Sequence, residues 1–282
     1  MKTLRILLCF TLCAALFGAS VSAMPGESIA VLGGDLTVAE ADSMYALFGA
    51  ERGTAMEQTL SREDAAASFS DVPEGAARTA VYLTVLEGGA GLSVSLTNIS
   101  CAETVFAAAL AAAGLTDVSI KAAAPEAAEP LAVLPAVFRA YETITCLTVS
   151  PEAREAAASA LRETGEITEN LTQELDLSRL EEILGTMDGF FDELAALDES
   201  ELPGRIQSIA AEKGIPLNDS QAQQLSGLFR KLQKLREAGL SEQVQKLPGT
   251  VESAANTAVS FWQKARVFFR KVGEWISQLF NS

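Results

Sequence analysis

Four short apolar runs, rich in β-branched residues and bounded by turn residues, predict strands in the first half of the chain. They lie at 28–32, 79–86, 92–97 and 118–122. Glycines 88, 89 and 91 stand between the second and the third run. Two β-rich runs separated in this way predict a β-hairpin.

Two helical patterns alternate with these strands. The first begins at Thr37, which forms a Thr-x-x-Glu capping box with Glu40. The second covers 101–113 and ends at Gly114. The element order β-α-β-β-α-β predicts an α+β fold with a ferredoxin-like arrangement, in which two helices cover one face of an antiparallel sheet. The segment 50–78 has no assigned element, and a connection of that length indicates function, disorder or a missed element.

From residue 131 onward the pattern is helical and contains no convincing strand. Ser150 and Pro151 mark a helix start, as N-cap and first helical residue. Short breaks at glycine and proline predict antiparallel helices packed as a bundle. The helical patterns lie at 151–164, 178–196, 204–213, 219–238 and 250–280. We therefore expect a signal peptide at 1–23, an α+β domain at 24–130, a helical region at 131–250 and an amphipathic C-terminal helix at 251–282.

The first 23 residues have the order of a secretory signal. Lys2 and Arg5 precede an apolar stretch at 6–17, and small residues at 20–23 offer a cleavage site. The apolar stretch is shorter than the ~20 residues that a membrane span needs. The sequence therefore predicts a secreted, extracellular protein, exported by a cleavable signal peptide.

The composition narrows the classes of function. The chain has 282 residues, with 21 Lys and Arg against 37 Asp and Glu, a net charge of −16 and no histidine. The missing histidines exclude Ser-His-Asp and Cys-His catalysis and His-ligated zinc. The acidic balance argues against nucleic-acid binding, which needs clustered Lys and Arg.

Motifs for chemistry are missing from the sequence. We find no phosphate loop, no nucleophile elbow and no calcium loop, so we expect no cofactor, no metal and no catalytic residue. An extracellular hydrolase that uses paired carboxylates remains the enzyme alternative. Acidic residues that could supply such a pair are more typical of a solvated helix face; they are Asp188, Asp192, Glu193, Asp198 and Glu201.

Cys101 and Cys146 are the cysteines that remain after removal of a signal peptide. Outside the cytoplasm two such cysteines can form one disulfide. The alternative is two reduced thiols that never meet, and the sequence leaves both open.

The last segment, 256–282, carries four basic residues and one acidic residue, whereas 24–130 carries four basic and fifteen acidic ones. Its apolar residues recur every three or four positions, which predicts an amphipathic helix. Such a helix can pack on the helical region, lie in a membrane or envelope surface, or dock on a partner protein. The candidate contact residues are Phe261, Trp262, Lys264, Phe268, Phe269, Arg270, Lys271, Trp275 and Ile276.

Three parts of the chain resemble, in the same order, the YpuA-like family of secreted bacterial proteins, which carry a domain of unknown function. They are 31–37 (Val-Leu-Gly-Gly-Asp-Leu-Thr), 91–99 with 106–114, and 122–125 with 140–142. The resemblance covers roughly residues 28–170 and implies a secreted protein, found mainly in Gram-positive bacteria, without catalytic residues to carry over. At 129–135 the chain lacks the glycines and hydroxyls of that family. We therefore expect a non-enzymatic binding or structural protein at the cell surface.

Overall fold

The computed structural model describes residues 23–69 and 74–246. Within these residues the chain forms five strands, nine α-helices and one 3₁₀ turn. The strands are β1 (Ser28–Gly33), β2 (Met56–Leu60), β3 (Ala80–Val85), β4 (Leu92–Ile99) and β5 (Val118–Ala128). The helices are α1 (Val38–Phe48), α2 (Arg62–Ser68), α3 (Glu103–Ala112), α4 (Pro130–Thr145), α5 (Pro151–Glu174), α6 (Leu177–Gly189), α7 (Phe191–Ala195), α8 (Leu202–Glu212) and α9 (Asp219–Lys246), and the 3₁₀ turn is Ala76–Arg78.

The α+β class is confirmed, with the sheet in the N-terminal part and helices after it. The four predicted strands correspond to β1, β3, β4 and β5, and the first two helices to α1 and α3. The capping box is formed as expected: the Glu40 backbone N–H donates to the Thr37 hydroxyl at 3.2 Å, and the Thr37 N–H donates to the Glu40 carboxylate at 2.8 Å.

The sheet does not have the predicted ferredoxin-like order. Its strands lie in the order β2-β1-β3-β5-β4. β1 is parallel to β2, and β4 is parallel to β5, while β3 is antiparallel to both β1 and β5. The difference arises because the segment 50–78 contains a fifth strand, β2. α1 and α3 thus each connect two parallel neighbours, which forms two β-α-β units around the central β3.

The predicted hairpin is also wrong, because β5 lies between β3 and β4. The glycine-rich loop at 88–91 passes the start of β5 instead of closing a tight turn. Two hydrogen bonds hold its ends there: the Leu86 N–H donates to the Asp117 carbonyl at 2.7 Å, and the Gly91 N–H donates to the Asp117 carboxylate at 2.9 Å. β5 thereby provides a partner for both strands that the loop joins.

Helices cover both faces of the sheet, whereas the ferredoxin-like prediction placed them on one. Alternate strand residues point to opposite faces. On one face, small residues contact α1, where the buried side chains are Ala41, Met44, Tyr45 and Phe48. On the other face, larger apolar residues such as Val31 and Leu83 belong to the main core, where α4 packs on β1 and β3, and α3 packs on β4.

The helical region shares this main core. α3 contacts both α5 and α9, so it lies between the sheet and the later helices. One cluster of buried apolar side chains runs from Ile29 to Leu232. The change near residue 130 is therefore a change of secondary structure within a continuous core. Gly165 does not interrupt α5, and Gly239 does not interrupt α9.

Candidate functional site

The residues that the sequence singled out fall into three groups. All nine candidate contact residues of 256–282 lie outside the described residues, as do residues 1–22 of the predicted signal peptide. The two cysteines and the five candidate acidic residues lie within the described ranges, and their surroundings can be compared with the predictions.

The two cysteines are free thiols in the structure. Cys101 is buried, with 5% of its surface exposed, just before α3, while Cys146 is exposed at the end of α4. Burial, and secondarily the charge of Glu181, raises the pKa of Cys101 to about 12. A thiol with that pKa remains protonated near neutral pH and is a poor nucleophile. The disulfide between the two stays a prediction.

The five candidate acidic residues belong to the region from α6 to the start of α8. Glu193 forms an ion pair with Arg205 at 2.6 Å, with about half of the Glu193 side chain exposed. Among the residues that the structure describes, no group of three or more cysteine, aspartate or glutamate side chains is arranged to hold a metal ion.

A different pair of carboxylates, Glu103 and Glu181, comes together at the start of α3. The N-cap residue of α3 is Ala102, whose side chain forms no capping hydrogen bond. Glu181, from α6, supplies the missing acceptor, because its carboxylate accepts a hydrogen bond from the backbone N–H of Glu103. The first backbone N–H groups of a helix have no partner within the helix, and its dipole favours a negative charge there.

Glu103 extends this contact to the sheet. Its carboxylate accepts a hydrogen bond from the backbone N–H of Leu96 in β4 at 2.9 Å. Glu181 and Glu103 therefore connect α6, α3 and β4 in one chain of hydrogen bonds. We call these two residues the carboxylate latch. The sequence contained no signal for it, since 78 positions separate its members.

The carboxylate latch lies in a partly buried environment. The pKa of Glu181 is raised to about 7: burial, and secondarily the negative charge of Glu103, raise it, while hydrogen bonds from the backbone of Glu103 and from Thr104 lower it. Burial also raises the pKa of Glu103, and the Leu96 N–H and Ser95 hydroxyl lower it. Two neighbouring carboxylates with raised pKa values are typical of acid–base sites, but also of structural networks.

The hydrogen bonds distinguish these two roles. A catalytic pair needs carboxyl oxygens that face a substrate from two sides. In the carboxylate latch, each side chain accepts a hydrogen bond from a backbone N–H of the same protein. Glu181 acts as a helix cap supplied by another helix, and Glu103 satisfies a backbone donor of β4. The arrangement is that of a structural connection.

Few large hydrophobic side chains of the described residues are mostly exposed. Among the described residues, the large hydrophobic side chains that are mostly exposed are spread over the N-terminal end, α1, β2 and the loop after α4; they are Met24, Val38, Leu47, Met56 and Leu147. Single exposed apolar residues of this kind are normal. No helix in the described ranges is long and apolar enough to cross a membrane.

The unit built by this sheet and these helices is one that other proteins share. The chain belongs to the family described as "Protein of unknown function (DUF1002)", whose match covers residues 32–248. A relative is the "Uncharacterized protein YpuA" of Bacillus subtilis (strain 168), which is 24% identical over 204 residues, or 71% of this chain and 69% of the relative. The resemblance expected from the sequence is thus confirmed. No solved structure matches the chain.

Proposed function

We propose that this protein is exported and acts at the cell surface as a non-enzymatic binding protein that attaches to the envelope through residues 256–282. The observation that carries the proposal is the contrast between this segment and the rest of the chain. The segment combines basic residues with apolar and aromatic ones at helical spacing, and the remainder is strongly acidic. Such a combination favours the interface of a membrane that contains anionic lipids.

Two observations support attachment through this segment. The family match ends at residue 248, so the segment lies beyond the part of the chain that the family shares. Among the described residues, the five large apolar side chains that are mostly exposed are spread over four places in the chain, with two of them on α1. A partner outside the described body would bury the aromatic face of 256–282.

Membrane attachment through this segment also agrees with the charge of the chain. An anionic lipid surface repels an acidic protein and attracts Lys and Arg within about a Debye length. Lys264, Arg270 and Lys271 lie among the aromatic residues of the segment. The basic segment would therefore contact the lipid, and the acidic body would face away from it.

The hydrolase alternative has weaker support. It draws on the carboxylate latch, where the pKa of both glutamates is raised. The latch carboxylates are engaged with backbone N–H groups of α3 and β4. We therefore assign these glutamates to stability, and their replacement by glutamine should change the free energy of unfolding rather than a catalytic rate.

Cell fractionation tests the proposal. The full chain and a variant that lacks 251–282 would be expressed in a Gram-positive host and separated into envelope, cytoplasm and medium. We expect the full chain in the envelope fraction and the shortened chain in the medium. A triple variant, Lys264→Gln, Arg270→Gln and Lys271→Gln, keeps the aromatic residues but removes three charges, and it should be released by less salt than the full chain.

The controls separate export from attachment. A variant without residues 1–23 should stay in the cytoplasm, whereas a chain that stays there with residues 1–23 attached would contradict export. Release of both the full and the shortened chain into the medium would contradict attachment. Retention of both on the envelope would move the attachment site to the family domain.

A further inference from the structure

The edge of the sheet at β4 differs from the edge at β2. β4 has eight residues, and none of them is charged or proline. β2 has five residues and contains Glu57, whose carboxylate accepts hydrogen bonds from Arg52 and Tyr45, both at 2.8 Å. Proteins protect sheet edges with short strands, charged side chains or proline. By these criteria β2 is protected and β4 is not, and among the described residues no strand pairs with the outer side of β4.

The pairing of β4 with β5 determines which backbone groups point outward. The N–H of Val118 donates to the carbonyl of Gly91 at 3.1 Å. In a parallel ladder, alternate residues direct their backbone groups to the same neighbour. Gly91 and every second residue after it therefore face β5, and the backbone groups of Leu92, Val94 and Leu96 point away from the sheet.

We propose that a second copy of this chain adds its own β4 to this edge, antiparallel and with a two-fold axis at Val94. In that register, the backbone of Val94 exchanges hydrogen bonds with Val94 of the second copy. Leu92 pairs in the same way with Leu96 of the second copy. A two-fold interface requires a surface that is complementary to itself, and an uncharged strand meets this requirement through its backbone.

The side chains on both faces of β4 agree with this partner. Leu92, Val94 and Leu96 pack, partly buried, against the main core, so a second copy would continue this apolar face. On the opposite face Ser93 would lie across from Ser95 of the second copy, and hydroxyl pairs of this kind stabilise antiparallel strands.

Charge favours this edge over other parts of the surface. Two copies that each carry a net charge of −16 repel each other. β4 itself carries no charged side chain, so the strand adds no carboxylate to the contact. One carboxylate from outside the strand reaches this edge, that of Glu103, which binds the outward N–H of Leu96.

Glu103 therefore opposes the pairing of the two strands. Its carboxylate already accepts the hydrogen bond from the Leu96 N–H, which in the proposed register would donate to the Leu92 carbonyl of the second copy. The two-fold axis would also bring two Glu103 carboxylates to the same edge. Neutralising this residue should strengthen the association. The proposal can therefore be tested with a variant that tightens the dimer as well as with one that weakens it.

Sedimentation velocity on the full chain over a range of concentrations measures the association. Val94→Pro removes an outward N–H without removing a hydrogen bond to β5, and proline is tolerated at such edge positions. Because the symmetric pair loses two backbone hydrogen bonds, we expect the dissociation constant to rise by about tenfold or more. Glu103→Gln should lower it.

Thr59→Pro in β2 is the matched control. The Gly34 N–H donates to the Leu60 carbonyl at 2.8 Å, so Leu60 faces β1 and the N–H of Thr59 points outward. This variant should associate as the unmodified chain does. Circular dichroism verifies that each variant is folded.

Three results would overturn the proposal. In the first, the full chain is a monomer and remains a monomer with Glu103→Gln. In the second, the chain forms a dimer that Val94→Pro weakens no more than Thr59→Pro does, and in the third Glu103→Gln leaves the dissociation constant of the dimer unchanged. Should Val94→Pro fail to fold, the response to Glu103→Gln decides, because tightening supports the β4 contact and an unchanged constant contradicts it.

Discussion

Glu181 shows how one side chain acquires a property that its neighbours in sequence do not explain. It lies on α6 and accepts a hydrogen bond from the first residue of α3. Its partly buried position beside Glu103 raises its pKa to about 7. The next residue, Glu182, is exposed. Of these two adjacent glutamates on one helix, Glu181 is the partly buried one, and it contacts α3.

Glu181 makes stability depend on pH. Its pKa in the folded protein is about 7, above the ordinary value of 4.5, so the folded state holds a proton that the unfolded state has released. The contribution of Glu181 to the free energy of unfolding is therefore fully present below about pH 4.5, and it is lost as the pH rises through 7. The total change is on the order of 2–3 kcal/mol. Urea unfolding at pH 5, 6, 7 and 8 measures it.

Glu181→Gln should flatten this pH dependence, because glutamine keeps an oxygen acceptor for the Glu103 N–H and does not ionise. Glu103, whose pKa is also raised, would leave a smaller slope in the same direction. Glu182→Gln is the matched control and should retain the slope of the unmodified protein. An equal slope in the Glu181→Gln variant would refute the assignment.

Gly33 is required for a close backbone contact at the end of β1. A Cβ atom at this position would lie 2.2 Å from the carbonyl oxygen of Ala77. That oxygen belongs to the backbone and also accepts the N–H of Asp35 at 2.9 Å, so it has little freedom to move. We expect Gly33→Ala to lower the free energy of unfolding by about 3 kcal/mol. Chemical denaturation measures this loss.

Gly185→Ala is the control for that substitution. Gly185 lies within α6, and a Cβ atom there would meet nothing within 4 Å. Alanine should stabilise the helix by up to about 1 kcal/mol. If both glycine variants were destabilised equally, the contact with Ala77 would not be the reason.

At the scale of elements, local signals located most helices and strands correctly, while long-range pairing was mispredicted. The capping box of α1 and the Ser150-Pro151 start of α5 form as expected, because their partners lie within three residues. β2 was missed because it is short and mostly exposed, so its sequence Met-Glu-Gln-Thr-Leu lacks an apolar run. The carboxylate latch was missed because its residues meet only after α6 packs on α3.

The start of α1 provides a test at this scale. Thr37→Ala removes the hydroxyl that accepts the Glu40 N–H. We expect a loss of about 1 kcal/mol in the free energy of unfolding. Thr37→Ser keeps the hydroxyl, and because serine is at least as good an N-cap residue as threonine, the free energy of unfolding should remain close to that of the unmodified protein. Thermal unfolding followed by circular dichroism compares the two, and equal losses would show that the cap does not determine the effect.

At the scale of the whole molecule, one core joins the sheet to the later helices. Its described buried members run from Ile29 to Leu232. The family match covers residues 32–248, so the segment 256–282 lies outside the family unit. The C-terminal segment is thus expected to contribute to location rather than to the stability of the family unit.

Deletion of 251–282 tests that expectation. Because the family match ends at residue 248, before the deleted segment, the midpoint of thermal unfolding should shift by less than about 2 °C. Differential scanning calorimetry on both chains measures the shift. A large decrease would show that the segment packs on the helical region, which is the interpretation opposed to surface attachment.

The sequence by itself determined the α+β class, the positions of four strands and of most helices, and the family, since these depend on residues close together in the chain. It also defines the amphipathic pattern of 256–282, whose partner remains a proposal. Only the tertiary structure decided the strand order, the two covered faces of the sheet and the meeting of Glu103 with Glu181. These features depend on contacts between residues far apart in the chain, and no local pattern records which distant surface will cover a given strand or cap a given helix.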